Sequence, residues 1–386
     1  MSNKRAPFAG LAFSVALGCV TALACVLAPR PAQAIPIFAQ RYDMKCSACH
    51  SVLPELNQFG NEFRNRGYRL DGVPRHGTTV VALREQIGYT PTPTDGTTRK
   101  TVPAGIVLGA LEVGRVEAFV HETLGSEGSS SSLFLGYLAV RDAHSGVLYR
   151  AGLVELPLVH SPAQRNDTLT TYGYEGTLVG LNDLTLATPR WGLEAERDVG
   201  VARVAGTVSF GNATGSAYGG KPVTTGRNEG FAAPEFGIFA RVPITDDIRV
   251  GFDGLAGTRA ITVTGAPRFT DSYHRAGVSL DARRGRLELL AQQWWGRDEN
   301  ADGAGGLIDS TGGFVRVRWR LGAHAFVGLR EDGAAAPAAT RTLLWYAETH
   351  VTPHARLLIQ QHRPIPGGPT SLEAALTIGA PWPRGR

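Results

Sequence analysis

Cys46, Cys49 and His50 are the residues of this 386-residue chain whose types and spacing specify a chemistry. In Cys46-Ser47-Ala48-Cys49-His50, two thiols three positions apart can each form a thioether to a haem vinyl group, and the imidazole that follows can ligate the iron. Two other chemistries use a similar pair. A zinc half-site needs two further ligands, and no second Cys or His cluster follows downstream. A redox C-x-x-C of thioredoxin type belongs beside a βαβ pattern, which this sequence lacks. The spacing therefore specifies one covalently attached haem c, with Cys46 and Cys49 as thioether sites and His50 as the proximal ligand.

That chemistry is carried out outside the cytoplasm, and the first 34 residues supply the address. Lys4 and Arg5 precede an apolar run over 9–28, and Ala32-Gln33-Ala34 is an A-x-A cleavage site, so 1–34 reads as a signal peptide with Ile35 the first mature residue. An uncleaved anchor is the competing reading, because the run is about long enough to span a bilayer. Ala16 and Ala22, three positions before Cys19 and Cys25, do not suit a lipoprotein signal. Cleavage leaves Cys46 and Cys49 as the mature cysteines, so no structural disulfide is available in a compartment that permits them. It also lowers the 39 basic residues to 36 against 34 acidic, a near-neutral balance without a basic block, which excludes nucleic acid as a partner.

The motif needs an element to hold it. Val52, Leu53, Leu56, Phe59 and Phe63 recur at three- and four-residue steps, Pro54 suits a first turn, and Gly67 a stop. This predicts one amphipathic helix against the haem, in a small α-helical cytochrome-like head over 35–77. Roughly forty residues bury little core alone, so the head needs the haem and the remaining chain to hold it. The distal ligand has three candidate sources. Met44 stands too close to the first thioether site to reach the opposite face, His76 is far enough downstream to wrap round for bis-His ligation, and a histidine of the remaining chain or an open site completes the choice.

Residues 78–386 alternate with period two. Ile248, Val250, Phe252, Gly254 and Ala256 share one face against Arg249 and Asp253; Val315, Val317, Trp319 and Leu321 oppose Arg316, Arg318 and Arg320. Val204, Val208 and Phe210 against Arg203, Thr207 and Ser209 repeat the pattern, as do Val278 and Leu280 against Ser279 and Asp281. A soluble sandwich would alternate too, so the connections decide. Tight turns near 142–146, 198–200, 245–247, 283–285, 321–323 and 352–354 alternate with long Gly-, Pro- and Asp-rich stretches at 158–190, 211–234, 257–272, 297–312, 331–340 and 363–369. This is the pattern of an all-β transmembrane barrel, with fourteen antiparallel strands from Gly105 and sixteen if 80–89 also pairs. Outer-membrane lipid is then a partner, and no helical span follows the signal peptide. Trp382 can serve as the terminal aromatic such barrels use, ahead of a Pro383-Arg384-Gly385-Arg386 tail. Arg115, Glu117, Arg249, Asp253, Arg316, Arg318 and Arg320 should face a wet, solvated lumen.

One connection carries a second ligand pattern. Asp298, Asn300 and Asp302, with Gly303 for the tight turn and Asp309 at the twelfth position, have the oxygen spacing of a Ca²⁺ loop. The flanks read as strands, the last ligand is Asp where Glu is usual, and Gly305 replaces an aliphatic anchor, so a plain acidic loop is the competing reading.

Signal peptide, single C-x-x-C-H head and barrel together resemble the fused monohaem cytochrome-porins of iron-oxidising and related bacteria. The resemblance in motif covers 38–68, FAQRYDMKCSACHSVLPELNQFGNEFRNRGY, and in architecture the barrel. It implies an outer-membrane electron conduit, passing electrons between an extracellular donor or acceptor, such as Fe(II), and a periplasmic cytochrome or other redox carrier. Because hydrocarbon about 30 Å thick exceeds the reach of one haem, the head should sit inside the barrel. The competing class is a porin or transport barrel whose haem-bearing head is a plug, with nothing oxidised outside; a periplasmic cytochrome with a soluble β domain is a third.

Overall fold

The structure, a computed structural model, describes residues 37–381 apart from 52–54, 71, 74–80, 92–97, 114, 124–131, 159–167, 170–171, 183, 213–225, 264–266, 323, 337 and 353–354. The signal peptide, Val52 to Pro54, His76 and Trp382 lie outside the described residues. Among the described residues three short helices, α1 (Ile37–Arg41), α2 (Cys46–Cys49) and α3 (Gln58–Asn65), precede sixteen strands. These are β1 (Val81–Pro91), β2 (Thr98–Val113), β3 (Val116–Thr123), β4 (Ser132–Arg141), β5 (Leu148–Val154), β6 (Arg190–Val199), β7 (Ala202–Asn212) and β8 (Gly226–Thr245). They continue as β9 (Ile248–Val263), β10 (Phe269–Arg284), β11 (Leu287–Asp298), β12 (Ile308–Arg320), β13 (Ala325–Ala335), β14 (Ala339–Thr352), β15 (Ala355–Ile365) and β16 (Ser371–Pro381).

Each strand is antiparallel to the next, and β1 pairs with β16 from Ala82↔Pro381 to Tyr89↔Ala374, which closes the barrel. Closure removes every unpaired edge, so the wall satisfies its own backbone groups. The larger of the two expected strand counts is therefore the observed one, and the pairing strand at 81–91 is the one that completes the circle. The alternation expected from sequence is reproduced in three dimensions. Leu138, Leu193, Phe236, Ile238, Phe252 and Val315 face outward and exposed, while Glu117, Thr207, Ser209, Asp253, Arg316 and Arg318 are buried inside. Trp191 and Trp295 lie on the exterior toward the long connections and Trp319 on the exterior toward the tight turns, the two levels at which membrane barrels carry aromatic residues.

The interior corrects the expectation of a wet lumen. Two segments fill it. From the tight-turn end, the described residues between Ile37 and Leu70 pack into the barrel: Ile37, Tyr42, Phe63 and Tyr68 form one core with Phe119, Tyr137 and Leu148 of β3 to β5. Phe38 stacks on Tyr68 (4.1 Å between centroids) and Tyr68 on Phe119 (5.3 Å), contacts of about 0.5–1.5 kcal/mol each beyond area burial. The second filling is the connection between β5 and β6. It reads as an outer loop, yet Leu156, Leu158, Tyr172, Tyr174, Leu184 and Leu186 are buried against the wall. Apolar residues placed that often would be exposed on an outer loop, and folding inward removes them from water. The remaining long connections are shorter than expected because β8 to β15 extend into their Gly- and Asp-rich flanks, where antiparallel pairing satisfies the backbone. Of the residues expected to face the lumen, Arg115 and Arg320 are exposed at strand ends beside tight turns.

Candidate functional site

The expected helix behind the motif is shorter than its periodicity. Leu56 forms an antiparallel bridge with His50, which turns the chain back on α2, and α3 begins only at Gln58. Asn57 makes this possible. Its Oδ1 accepts from Gly60 N (2.9 Å) as the N-cap of α3, its Nδ2 donates to the Ala48 carbonyl (3.0 Å), and its own N donates to the Cys49 carbonyl (2.9 Å). One side chain thus satisfies the end of α2 and the start of α3. At Gly60 an added Cβ would stand 2.0 Å from the Cys49 oxygen, so only glycine permits this crossing. The chain leaves α3 through Gly67, at φ +69°, the stop expected there.

α2 is a single turn, with Cys46 and Cys49 at its two ends; Cys49 is half-buried and joined in no disulfide. His50 follows with its Nδ1 3.2 Å from the Glu55 carbonyl oxygen. A carbonyl only accepts, so Nδ1 carries the hydrogen and Nε2 keeps its lone pair. This is the arrangement by which a backbone carbonyl fixes the tautomer and direction of a metal-ligating histidine. The donor set and its orientation fit a haem iron held through His50 Nε2.

Glu55 also fastens this turn to the wall. Its carboxylate lies 2.6 Å from Arg316 Nη1, accepts from Arg318, and receives the Ser51 hydroxyl at 2.7 Å. Burial pushes its pKa up, but Arg316 and Arg318 outweigh that and hold the carboxyl well below its ordinary value. Arg318 further pairs with Glu288 and with Glu348 (3.4 Å), its guanidinium 4.7 Å over the Phe326 ring, and Glu348 binds Arg356 (2.6 Å). Elsewhere Arg41 meets Glu117 (3.2 Å), Arg64 meets Glu155 (2.6 Å), and Arg150 donates to the Arg64 carbonyl (2.7 Å). Nothing in the letters of the sequence joins Glu55 to Arg318, 263 residues away; closure of the barrel does.

The structure does not bring the four Ca²⁺-loop residues together. Asp298 points inward, buried, and pairs with Arg275 (2.7 Å), whereas Asp309 points outward and pairs with Arg297 (2.7 Å). The strand pleat forces this, since Asp309 stands opposite Arg297 and not opposite Asp298. Asn300 Oδ1 accepts from Gly305 N (2.6 Å) and Asp302 Oδ1 from Ala304 N (2.9 Å), so both side chains serve the turn itself. Among the described residues no cluster of three or more acidic, His or Cys side chains has metal-binding geometry.

The inward connection over 155–189 is the part of the site that sequence reading missed. Tyr172 stacks on Phe314 at 3.7 Å, with the Arg330 guanidinium 4.7 Å over its ring. The Tyr174 hydroxyl meets Ser310 (3.2 Å), Asn182 donates to Asp271 (2.8 Å), Leu181 N donates to the Ala301 carbonyl (2.7 Å), and Leu169 N to Gln360 (2.9 Å). These contacts reach β10, β12, β13, β15 and the β11–β12 connection, so the described residues of the segment cross the lumen.

Solved porins have this barrel. The anion-selective porin from Comamonas acidovorans superposes with a TM-score of 0.57 over 79% of this chain and 99% of its own, at 10% identity. The outer-membrane channel DcaP of Acinetobacter baumannii gives 0.55 over 78% and 96%, also at 10% identity, and a loop-deletion form of OmpT from Vibrio cholerae 0.51 over 78% and 98%, at 12%. At such identity the likeness is one of fold. No known family profile and no curated protein matches the sequence.

Proposed function

We propose that this chain is a porin-type barrel of a Gram-negative outer membrane whose periplasmic mouth is closed by a plug bearing one covalent haem c. The observation that supports it is the seat of Glu55, whose carbonyl accepts from His50 of the C-x-x-C-H turn and whose carboxylate is pinned to the wall at the tight-turn end by Arg316 and Arg318. Tight turns mark the periplasmic side of such barrels, so the plug faces the compartment in which thioethers form and soluble redox carriers circulate. In this reading Cys46 and Cys49 carry the thioethers and His50 Nε2 the iron. The haem supplies one-electron chemistry when bound; Glu55 orients His50 through its carbonyl, and its carboxylate holds the plug to the wall. Oxidation of an external donor is not required.

Expression in a host that matures c-type cytochromes tests this. Membrane fractions should carry the protein, denatured chain should retain one haem by its pyridine haemochrome, and Cys46→Ala with Cys49→Ala should lose it. Conductance in planar bilayers should be small until the plug is released. A chain that takes up no covalent haem in that host sinks the reading.

The electron conduit is the second reading, favoured by the lumen itself. A barrel crossed by a plug and an inward segment suits passage of electrons better than passage of solutes. Reduction of the haem in intact cells by Fe(II) added outside would favour it; haem that responds only to periplasmic reductant would leave the plugged barrel.

A further inference from the structure

The sixth position of the haem iron is what the plug alone does not supply. Met44 packs, partly buried, against the core that holds Phe63 and Tyr68, so its thioether is committed there. The barrel wall offers a different group. In β14, Leu344, Tyr346 and Glu348 face the lumen, buried, while Trp345 and Val351 face outward; His350 continues the inward series at the tight-turn end, half-buried. It stands opposite Arg356 in register, and Arg356 and Arg318 both hold Glu348, two residues before it. Arg318 in turn holds Glu55, whose carbonyl accepts from His50. His50 and His350 therefore flank the same ion cluster from the two sides of one interface. His324 backs the wall histidine, its carbonyl accepting from His350 N (2.9 Å) and its ring 6.2 Å away, but it lies exposed in the turn.

We propose that His350 of the barrel wall is the distal haem ligand, so that the haem stands in the plug–wall interface with His50 on one face and His350 on the other. This rests on the haem-bearing plug of the preceding section. Ligation from the wall gives the iron two nitrogen ligands, a low-spin centre of lower potential than a His/Met site. It also makes the haem a cross-link, and plug release requires an iron–nitrogen bond to break. A low-spin spectrum then reports a docked plug.

The test uses the full-length haem-loaded protein in detergent, and its readouts are the ferric absorption and low-temperature EPR spectra and CO binding by the ferrous form. The wild type should be low-spin and bind CO slowly. His350→Ala should become high-spin and bind CO rapidly while its pyridine haemochrome still gives one haem per chain; His350→Met should return a low-spin, higher-potential centre, which separates ligation from misfolding. His324→Ala and His76→Ala should stay low-spin. A high-spin wild type, or a His350→Ala protein that stays low-spin, overturns the assignment, the latter decisively if His76→Ala turns high-spin. Absence of covalent haem from the wild type would instead count against the haem-bearing plug itself, so the two failures are distinguishable.

Discussion

The two segments that fill the barrel are held in different ways. The plug meets the wall through ion pairs, Glu55 with Arg316 and Arg318 and Arg41 with Glu117, as well as through Tyr68 stacked on Phe119, and it reaches the inward segment through Arg64 with Glu155. The inward segment at 155–189 meets it largely through ring stacking, hydroxyls and amides, as in Tyr172 on Phe314, Tyr174 with Ser310 and Leu181 with Ala301. Even their acids differ. Glu55 is held low by two guanidinium groups, whereas Glu175, in the turn Tyr174–Gly176, is pushed well above its ordinary value by burial and by Asp332 and Asp253, with Arg330 opposing. The side chains that join the plug to the wall include charged ones, whereas those the inward segment offers the wall are largely uncharged.

The largest expected effect breaks the charged anchor. Glu55→Ala leaves Arg316 and Arg318 facing a cavity without that carboxylate, and loss of one partner of a buried pair costs about 3–5 kcal/mol. The urea concentration at which protease first cleaves 37–70 should fall, with the β signal of the barrel unchanged. If the two move together, plug and barrel are one cooperative unit and the contrast fails. In the inward segment, Tyr172→Ala removes a buried ring at a cost of about 3 kcal/mol. Bilayer conductance should rise while protection of 37–70 stays as in the wild type; early cleavage of the plug in this variant would erase the distinction.

Acid should separate the two segments by sign. Because the docked Glu55 has a lowered pKa, its stabilisation is complete above its ordinary value of 4.5 and is lost as the pH falls below 4.5 toward the docked value. Glu175 has a raised pKa in the folded protein, so folding binds a proton there and stability falls as the pH rises from 4.5 toward the folded value. Titrating detergent-solubilised protein from pH 7 to 3 should therefore expose 37–70 to protease and leave the inward segment at least as protected. Hydrogen exchange across both segments checks this; equal loosening on acidification would show that the anchors do not differ as their charges indicate.

Much of the wall was legible because its outer face is apolar and its inner face polar: Phe252 against Asp253, or Val317 against Arg318, read as strand without any neighbour in view. What fills the wall was not, because a lumen position is polar whether water or protein lies beside it. The stretch 155–189 carries the Pro157, Gly173, Gly176 and Gly180 of a loop, and only the buried pairs Leu156 with Leu158 and Leu184 with Leu186 hinted that it turns inward. For the site, the Cys46–His50 spacing names its own chemistry, while Glu348 and His350 acquire a relation to it only through a closed barrel. The same pleat that made strands readable misled at 298–309. A ligand pattern written for a loop between helices was laid across two strands, and alternate residues of a strand face opposite ways.

That last point sets the smallest expected effect. Asp309 lies on the exterior and pairs with an exposed Arg297. An exposed pair of this kind contributes little to stability. Asp309→Asn should leave the melting temperature of the barrel unchanged, and addition of chelator or of Ca²⁺ should move neither the variant nor the wild type. A rise in melting temperature on adding Ca²⁺ to the wild type, abolished in Asp309→Asn, would mean that the β11–β12 connection rearranges to gather ligands the pleat holds apart. The wall would then contain a mobile part, and the contrast between the plug and the inward segment would have to be drawn at a different boundary.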